Sequence, residues 1–351
     1  RRPRRARPLA AGGPGSSAWE GVHWLDVPAA GSGGAAGSQP ASGRASARPL
    51  VLPLMPLQPV YLPSPSQQLM ISEPRYRQLY DDILLSGGRR FVVTCARAGR
   101  LARVGTVFHL DDLKDVSEST YGRVRFAAEH SICERVRILS LLNPEAWHDQ
   151  STYLRAEVEP LDGVVAAGPA GAAQVGAEQA PGEAAGGGPE GAELRALREA
   201  LAEVAALQED LGEEPRLPEA AGRCVGFWEI CSSVASLLSI RLQLRVRQMH
   251  AEVQQLVQAW AQADPAAFEA LKRDPAALPP GIRRKGAEAR EAFSEGSEQL
   301  QGAFQRILQT PGLRQRCCAL AGLLREERRR LLARRALRGA LAGAGGAAGG
   351  A

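Results

Sequence analysis

Apolar positions change their rhythm along the chain, and each change predicts a different kind of element. Pro49 to Leu57 reads PLVLPLMPL. Prolines cannot donate to a sheet ladder, so this run predicts an edge strand or a strand entry rather than a central strand. From Ser72 the spacing becomes helical: Tyr76, Leu79, Tyr80, Ile83 and Leu84 fall on one face. Ser72 is placed to cap that helix, Pro74 suits its first turn and Gly87 its end. Four segments of strand type follow, Phe91 to Cys95, Arg103 to Phe108, Gly122 to Glu129 and Ile132 to Ser140. A fifth, Tyr153 to Glu159, sets Leu154, Ala156 and Val158 on one side and Arg155, Glu157 and Glu159 on the other. Short strands with one early helix predict a small, mostly antiparallel barrel and not a βαβ sheet.

Farther along, the helical period takes over, in residues 191–211 and 226–262. Pro275, Pro279 and Pro280 interrupt it. A last helical region runs from about Arg283 to Leu341, broken at Thr310-Pro311-Gly312, because the residue before proline is pushed out of helical geometry.

Composition then limits how much of the chain folds. The 38 glycines and 24 prolines among 351 residues cluster with alanine in residues 10–47, 162–192 and 339–351. Such stretches bury too little apolar surface to offset the entropy of ordering them. The expected organisation is a disordered segment 1–48, a barrel 49–162, a low-complexity linker 163–192, an α-helical subdomain 193–341 and a disordered tail 342–351. The opening RRPRRARPLAAGGPGSSA has no acid before Glu20 and the composition of an organelle transit peptide. A plastid or mitochondrial location is therefore expected, with the cytoplasm as the alternative.

The formal charge of +5 is unevenly placed. Residues 1–50 carry +5 and residues 313–338 carry +7, so the rest, 27 basic against 34 acidic residues, is at −7. Basic ends on an acidic body keep nucleic-acid binding as a secondary expectation. The basic stretch Arg325 to Arg338 interleaves Arg328-Arg329-Arg330 and Arg334-Arg335 with Leu331, Leu332 and Leu337, and a solvated helix face is its first reading. Six scattered cysteines lack the density of a disulfide framework. The most apolar run, Ile230 to Ile240, falls far short of the roughly 20 residues a transmembrane helix needs.

Leu52-Pro53-Leu54-Met55-Pro56-Leu57, Val60, Leu62-Pro63, Leu69, Ile71 and Glu73-Pro74-Arg75-Tyr76-Arg77 closely resemble the opening signature of Lon protease amino-terminal domains. Phe91-Val92-Val93, Val104-Gly105-Thr106-Val107, Arg135-Val136-Arg137-Ile138 and the run from Tyr153 to Leu161 resemble later strands of that family in the same order. Weaker similarity continues in Ile307 to Arg316 and Leu323 to Glu326. The resemblance implies an α+β protein, a PUA-like small β-barrel followed by an α-helical bundle, acting as a stand-alone protein-binding module in substrate recognition or quality control. PUA-like barrels also occur in RNA-binding proteins, and some relatives of the domain serve as adaptors for protein degradation. Within the signature, Glu73, Arg75, Tyr76 and Arg77 are the candidate binding residues, with the pinning of the first helix to the barrel ranked ahead of ligand contact.

Catalytic chemistry finds few residues to use. The dipeptide Gly-Lys is absent, so the phosphate loop of a Lon-type ATPase is missing, and none of Lys114, Lys272 and Lys285 lies in a context resembling its Ser/Lys peptidase site. There is no GxSxG elbow and no HExxH zinc motif. Gly343 to Ala348 fits a relaxed dinucleotide pattern without the strand and helix that would give it meaning. His130 with Cys133, Cys224 with Cys231, and Cys317 with Cys318 lack a second pair to complete a metal site. No enzymatic activity, cofactor or metal is expected; other proteins are the expected partners.

Overall fold

The computed structural model describes residues 17–27, 49–162, 189–214, 216, 217, 226–271 and 278–347. Eight strands come first: β1 (Trp24–Asp26), β2 (Leu50–Leu57), β3 (Ser64–Ile71), β4 (Arg90–Arg97), β5 (Arg100–Ala102), β6 (Val104–Asp115), β7 (Phe126–Leu141) and β8 (Leu154–Pro160). Among them lie helix α1 (Pro74–Leu85) and the short α2 (Ala146–Asp149). Helices α3 (Pro189–Leu211), α4 (Phe227–Ala263), α5 (Pro265–Leu271), α6 (Pro280–Gln309) and α7 (Leu313–Ala347) follow. The architecture is α+β, strands before helices.

Five strands close on themselves. β4 pairs β2 in parallel, and the antiparallel pairs β2–β8, β8–β7, β7–β6 and β6–β4 complete the ring. Every ring strand contributes to one apolar cluster, with Leu52 and Leu54, Val92, Val107, Val136 and Ile138, and Leu154, Ala156 and Val158, so this cluster is the barrel interior. A second cluster lies under α1, where Tyr76, Leu79, Tyr80 and Ile83 meet Phe91, Phe108 and Ile132. β4 is thus buried on both faces, Val92 inward and Phe91 and Val93 toward α1. At Gly105 a β-carbon would collide with the Val93 carbonyl, so β6 lies against β4 at a distance only glycine permits.

Several expectations are refined here. Glu73, not Ser72, sits at the amino-terminal cap of α1, and Gly87 (φ +70°) closes its other end. The segments read as separate strands around Gly122–Glu129 and Ile132–Ser140 are one continuous strand, β7, starting at Phe126. It pairs first with β3 and β6 and later with β8, so no turn is needed between its halves. Residues 17–27, expected within a disordered segment, form a helical turn (Ser17–Trp19) and β1, because Trp19, Val22 and Trp24 supply apolar surface that their Gly- and Ala-rich surroundings hide. The last helix extends through residues expected to be tail, to Ala347. Residues 1–16, 28–48, 163–188, 348–351 and Cys224 lie outside the described residues, and with them most of the expected disorder.

The helices form two pairs. α3 and α7 run in the same direction, with Glu193 beside Arg314 and Glu203 beside Arg328. Their buried positions recur every three or four residues, Leu197, Leu201, Val204 and Gln208 against Cys317, Leu320, Leu324, Glu327 and Leu331. α4 and α6 form the second pair, in which Gly296 gives room to the Leu242 side chain. All four share a core, with Leu201 and Val204 from α3, Ile230 and Val234 from α4, Phe304 and Ile307 from α6, and Leu320 and Leu324 from α7. Past Val246 that core ends, and α4 and α6 extend as a two-helix arm burying Ile282 and Ala289. Pro280 opens α6, where its missing N–H costs nothing. Among the described residues no helix is long and apolar enough to cross a membrane.

Candidate functional site

The signature residues come together at the start of α1, largely against each other. The Glu73 carbonyl accepts from the amides of Tyr76 and Arg77, both at 3.1 Å. Arg75 Nε donates to Glu73 Oε2 at 2.8 Å, and its guanidinium lies 4.6 Å from the Tyr76 ring centroid. Tyr76 is buried, and burial first of all pushes its hydroxyl up to about 12, with Arg75 opposing. These contacts organise a helix start.

His130 takes part in a buried hydrogen-bond chain. Its Nδ1 lies 3.2 Å from the Gln67 carbonyl, which can only accept, so Nδ1 carries the proton. Nε2 then accepts from the Tyr80 hydroxyl at 2.7 Å. Phe91 and Phe108 flank the ring. Burial holds the imidazole down to about 4, against the pull of the Gln67 hydrogen bond and Asp111. The chain links α1 through β7 to the backbone of β3. Among the described residues no group of three His, Cys, Asp or Glu side chains could hold a metal ion.

The seam between barrel and helices is filled by charge. Arg135 points outward from β7 and is fully buried beneath the end of α6. Its Nη1 donates to the carbonyls of Leu308 (2.6 Å) and Thr310 (2.9 Å), acceptors that the end of α6 leaves open. Its Nε donates to Asp162 Oδ2 at 2.6 Å, and its Nη2 pairs with Asp162 Oδ1. Arg316 reaches the same carboxylate at 3.3 Å, and Trp228 lies against both guanidinium groups. Burial pushes the Asp162 carboxyl up, but the Arg135 hydrogen bond and the charges of Arg135 and Arg316 outweigh it and hold the carboxyl below its usual range. Nearby, Gln305 Nε2 donates to the Val104 carbonyl at 2.9 Å. Among the described residues this seam is thus closed by charged and polar contacts rather than left as an open apolar surface.

The basic helix α7 finds its counterions within the chain. Arg328 pairs with Glu203 at 2.7 Å, Arg334 with Glu213 at 2.5 Å, and Arg330 with Glu213 and Glu327, both at 3.0 Å. Arg329 meets Glu326 at 2.8 Å. Much of the arginine stripe thus answers the acids of α3 and of the segment that follows it.

Two strand edges differ from everything above. Among the described residues β3 pairs with β7 alone. Ser66, Gln68 and Met70 point outward along it, Met70 being 59% exposed. On another side, β1 lies antiparallel on β5, so that the chain's own residues 17–27 cover that edge between barrel and α6. β3 and this strap escaped the sequence reading. Ser64–Ile71 is too polar to read as a strand, whereas two tryptophans five residues apart in a Gly/Ala/Arg-rich stretch were a usable signal for the strap.

No protein-family model and no curated protein matches the chain. Among solved structures it is similar to a Lon N-terminal domain protein from Xanthomonas campestris, at 25% identity and a TM-score of 0.27, over 32% of this chain and 59% of that one. It is also similar to the N-terminal domain of Lon protease from the Mycobacterium avium complex, at 13% identity and a TM-score of 0.34, over 78% of this chain and 98% of that one. The chain thus spans 59% of the length of the Xanthomonas campestris structure.

Proposed function

We propose that the chain is a non-enzymatic protein-binding module that takes up extended or unfolded segments of other proteins as an added strand on β3. The observation that carries this reading is the one-sided pairing of an eight-residue strand in an otherwise closed barrel. The Ser66 and Gln68 carbonyls accept from the Ser64 hydroxyl and the Gln67 amide side chain, contacts an added strand would exchange for main-chain hydrogen bonds, and the outward side chains are small, polar or flexible. The residue resemblance over residues 50–162 points to the same class of function. Nucleic-acid binding is less well supported, since arginines of α7 that would meet phosphate are paired with Glu203, Glu213, Glu326 and Glu327.

The test is binding of reduced, carboxymethylated α-lactalbumin to the full chain without nucleotide. Lysines at the edge, Gln68→Lys with Met70→Lys, should weaken binding about tenfold by opposing strand addition. Equal affinity for the two chains would remove β3 as the site, and no binding by either would remove the function.

A further inference from the structure

We propose that the channel between β4–β5 and α6 is a second, built peptide site, that its partner is an extended peptide with two tryptophans five residues apart, and that residues 17–27 occupy it in cis. The proposal rests on the reading that this chain binds extended segments, and it names a site and a peptide class for it.

The contacts are those of a receptor with a peptide. From α6, Arg306 Nη1 donates to the carbonyls of Ala18 (2.6 Å) and Glu20 (3.3 Å). Gln309 Nε2 donates to the Gly21 carbonyl at 2.5 Å, and its Oε1 accepts from the His23 amide at 3.1 Å. From the barrel, the Arg103 amide donates to the His23 carbonyl at 2.9 Å and its side chain to the Trp24 carbonyl at 3.3 Å. All of these read main chain, so they hold a backbone shape without selecting a sequence. Gly302 completes the wall, because a β-carbon there would occupy the place of the Ala18 carbonyl.

Selectivity comes from three side chains. Trp19 and Val22 are buried with Cys95 and Ala102, and Trp24 packs at their edge with its ring centroid 5.6 Å from that of Trp19. Arg97 lies 5.1 Å from the Trp19 ring and Arg100 5.3 Å from that of Trp24. Arg97 is ion-paired with Glu298 of α6, so Arg100, Arg103 and Arg306 are the other cations of the channel, and the segment held there carries Glu20 and Asp26 on its exposed side and no Lys or Arg. Asp26 sits in register with Arg100. Ser17, Glu20, Gly21, His23 and Asp26 face outward, as the free side of a bound peptide would.

Two features make this occupant exchangeable. Trp19 Nε1 is buried without an acceptor, so the fit leaves a polar group unsatisfied. In sequence, residues 28–48 separate the segment from β2. A tethered occupant competes at its effective concentration, which weakens binding of the same sequence in trans.

The test uses the full chain and a fluorescein-labelled synthetic peptide of residues 16–28, read by anisotropy. Trp19→Ala with Trp24→Ala vacates the channel, and the labelled peptide should bind this variant at least about tenfold more tightly than the wild-type chain. Adding Arg306→Ala and Gln309→Ala should reverse that gain, and a peptide with Phe in place of Trp19 should bind more tightly than the parent. Equal or absent binding to both chains, with circular dichroism unchanged, overturns the proposal. Should the double variant misfold, hydrogen exchange on the wild-type chain decides: excess peptide must accelerate exchange in residues 17–27, and unchanged exchange overturns the proposal. Concentration-dependent dimers that exclude the peptide would assign the channel to a second copy and overturn it as well. Carboxymethylated α-lactalbumin binding is measured on the same samples. Peptide failure with that binding intact sinks this inference alone, whereas loss of that binding sinks the proposed function.

Discussion

The two strand edges of the barrel region are built from similar backbone and treated in opposite ways. β5 is covered by a segment of the same chain, anchored by Trp19 and Val22 and held by Arg306 and Gln309. β3 keeps one side of its ladder free and presents Gln68 and Met70. Burial of aromatic surface stabilises the covered edge, while the open edge contributes little and remains available for strand addition. The difference teaches where stability and binding are divided: α6 and the strap hold the covered side, whereas β3 depends on β7 and the His130 hydrogen bond.

Four changes break or sharpen that contrast. The largest effect should come from Arg135→Ala, which leaves Asp162 to Arg316 alone, frees the Leu308 and Thr310 carbonyls and loosens the wall against which the strap rests. A loss on the order of 3 kcal/mol in urea-measured stability is expected, with residues 17–27 exchanging faster than β3.

The second acts on the β3 side. His130 is held to about 4 in the folded chain, below the 6.5 of an unperturbed histidine. The unfolded chain therefore takes the proton first as pH falls. Stability is full above about 6.5 and declines toward pH 4, by roughly 3 kcal/mol. Protonation, which reaches the folded chain near pH 4, also removes the lone pair that accepts from Tyr80, so protection factors in β3, corrected for the slower intrinsic amide exchange in acid, should be lower at pH 4 than at pH 7. His130→Gln, which can still accept and donate, should flatten the decline in urea midpoints over that range.

Third, Trp19→Ala should cost about 2 kcal/mol, less than a fully central aromatic, because the strap can detach while the barrel stays folded. Thermal denaturation gives the loss, and exchange confined to residues 17–27 gives its location. The smallest effect belongs to the open edge: Gln68→Lys with Met70→Lys should change stability by no more than about 0.5 kcal/mol while reducing client binding about tenfold. A large stability loss from that pair would mean that β3 is not an exposed edge.

Much of the barrel was legible because its strands alternate in the ordinary way, as Leu154, Ala156 and Val158 do against Arg155, Glu157 and Glu159. The first helix was legible from Tyr76, Leu79, Tyr80 and Ile83, and the break before α7 from Pro311. What escaped was long-range. Arg135 occupies an outward position of β7, as Arg137 does, and only the distant end of α6 makes the one buried and leaves the other exposed. β3 escaped because an outer strand need not alternate apolar residues, and its partner β7 lies more than 50 residues away. The pairing of Arg328, Arg330 and Arg334 with Glu203 and Glu213 was hidden for the same reason: those acids lie in α3 and the segment after it, more than 100 residues earlier.

The central claim, strand addition at β3, is tested most directly by hydrogen exchange on the full chain with and without saturating carboxymethylated α-lactalbumin. The account predicts new protection in Ser64–Ile71 that is lost in the Gln68→Lys, Met70→Lys chain. Bound client with no added protection anywhere in β3 would contradict it.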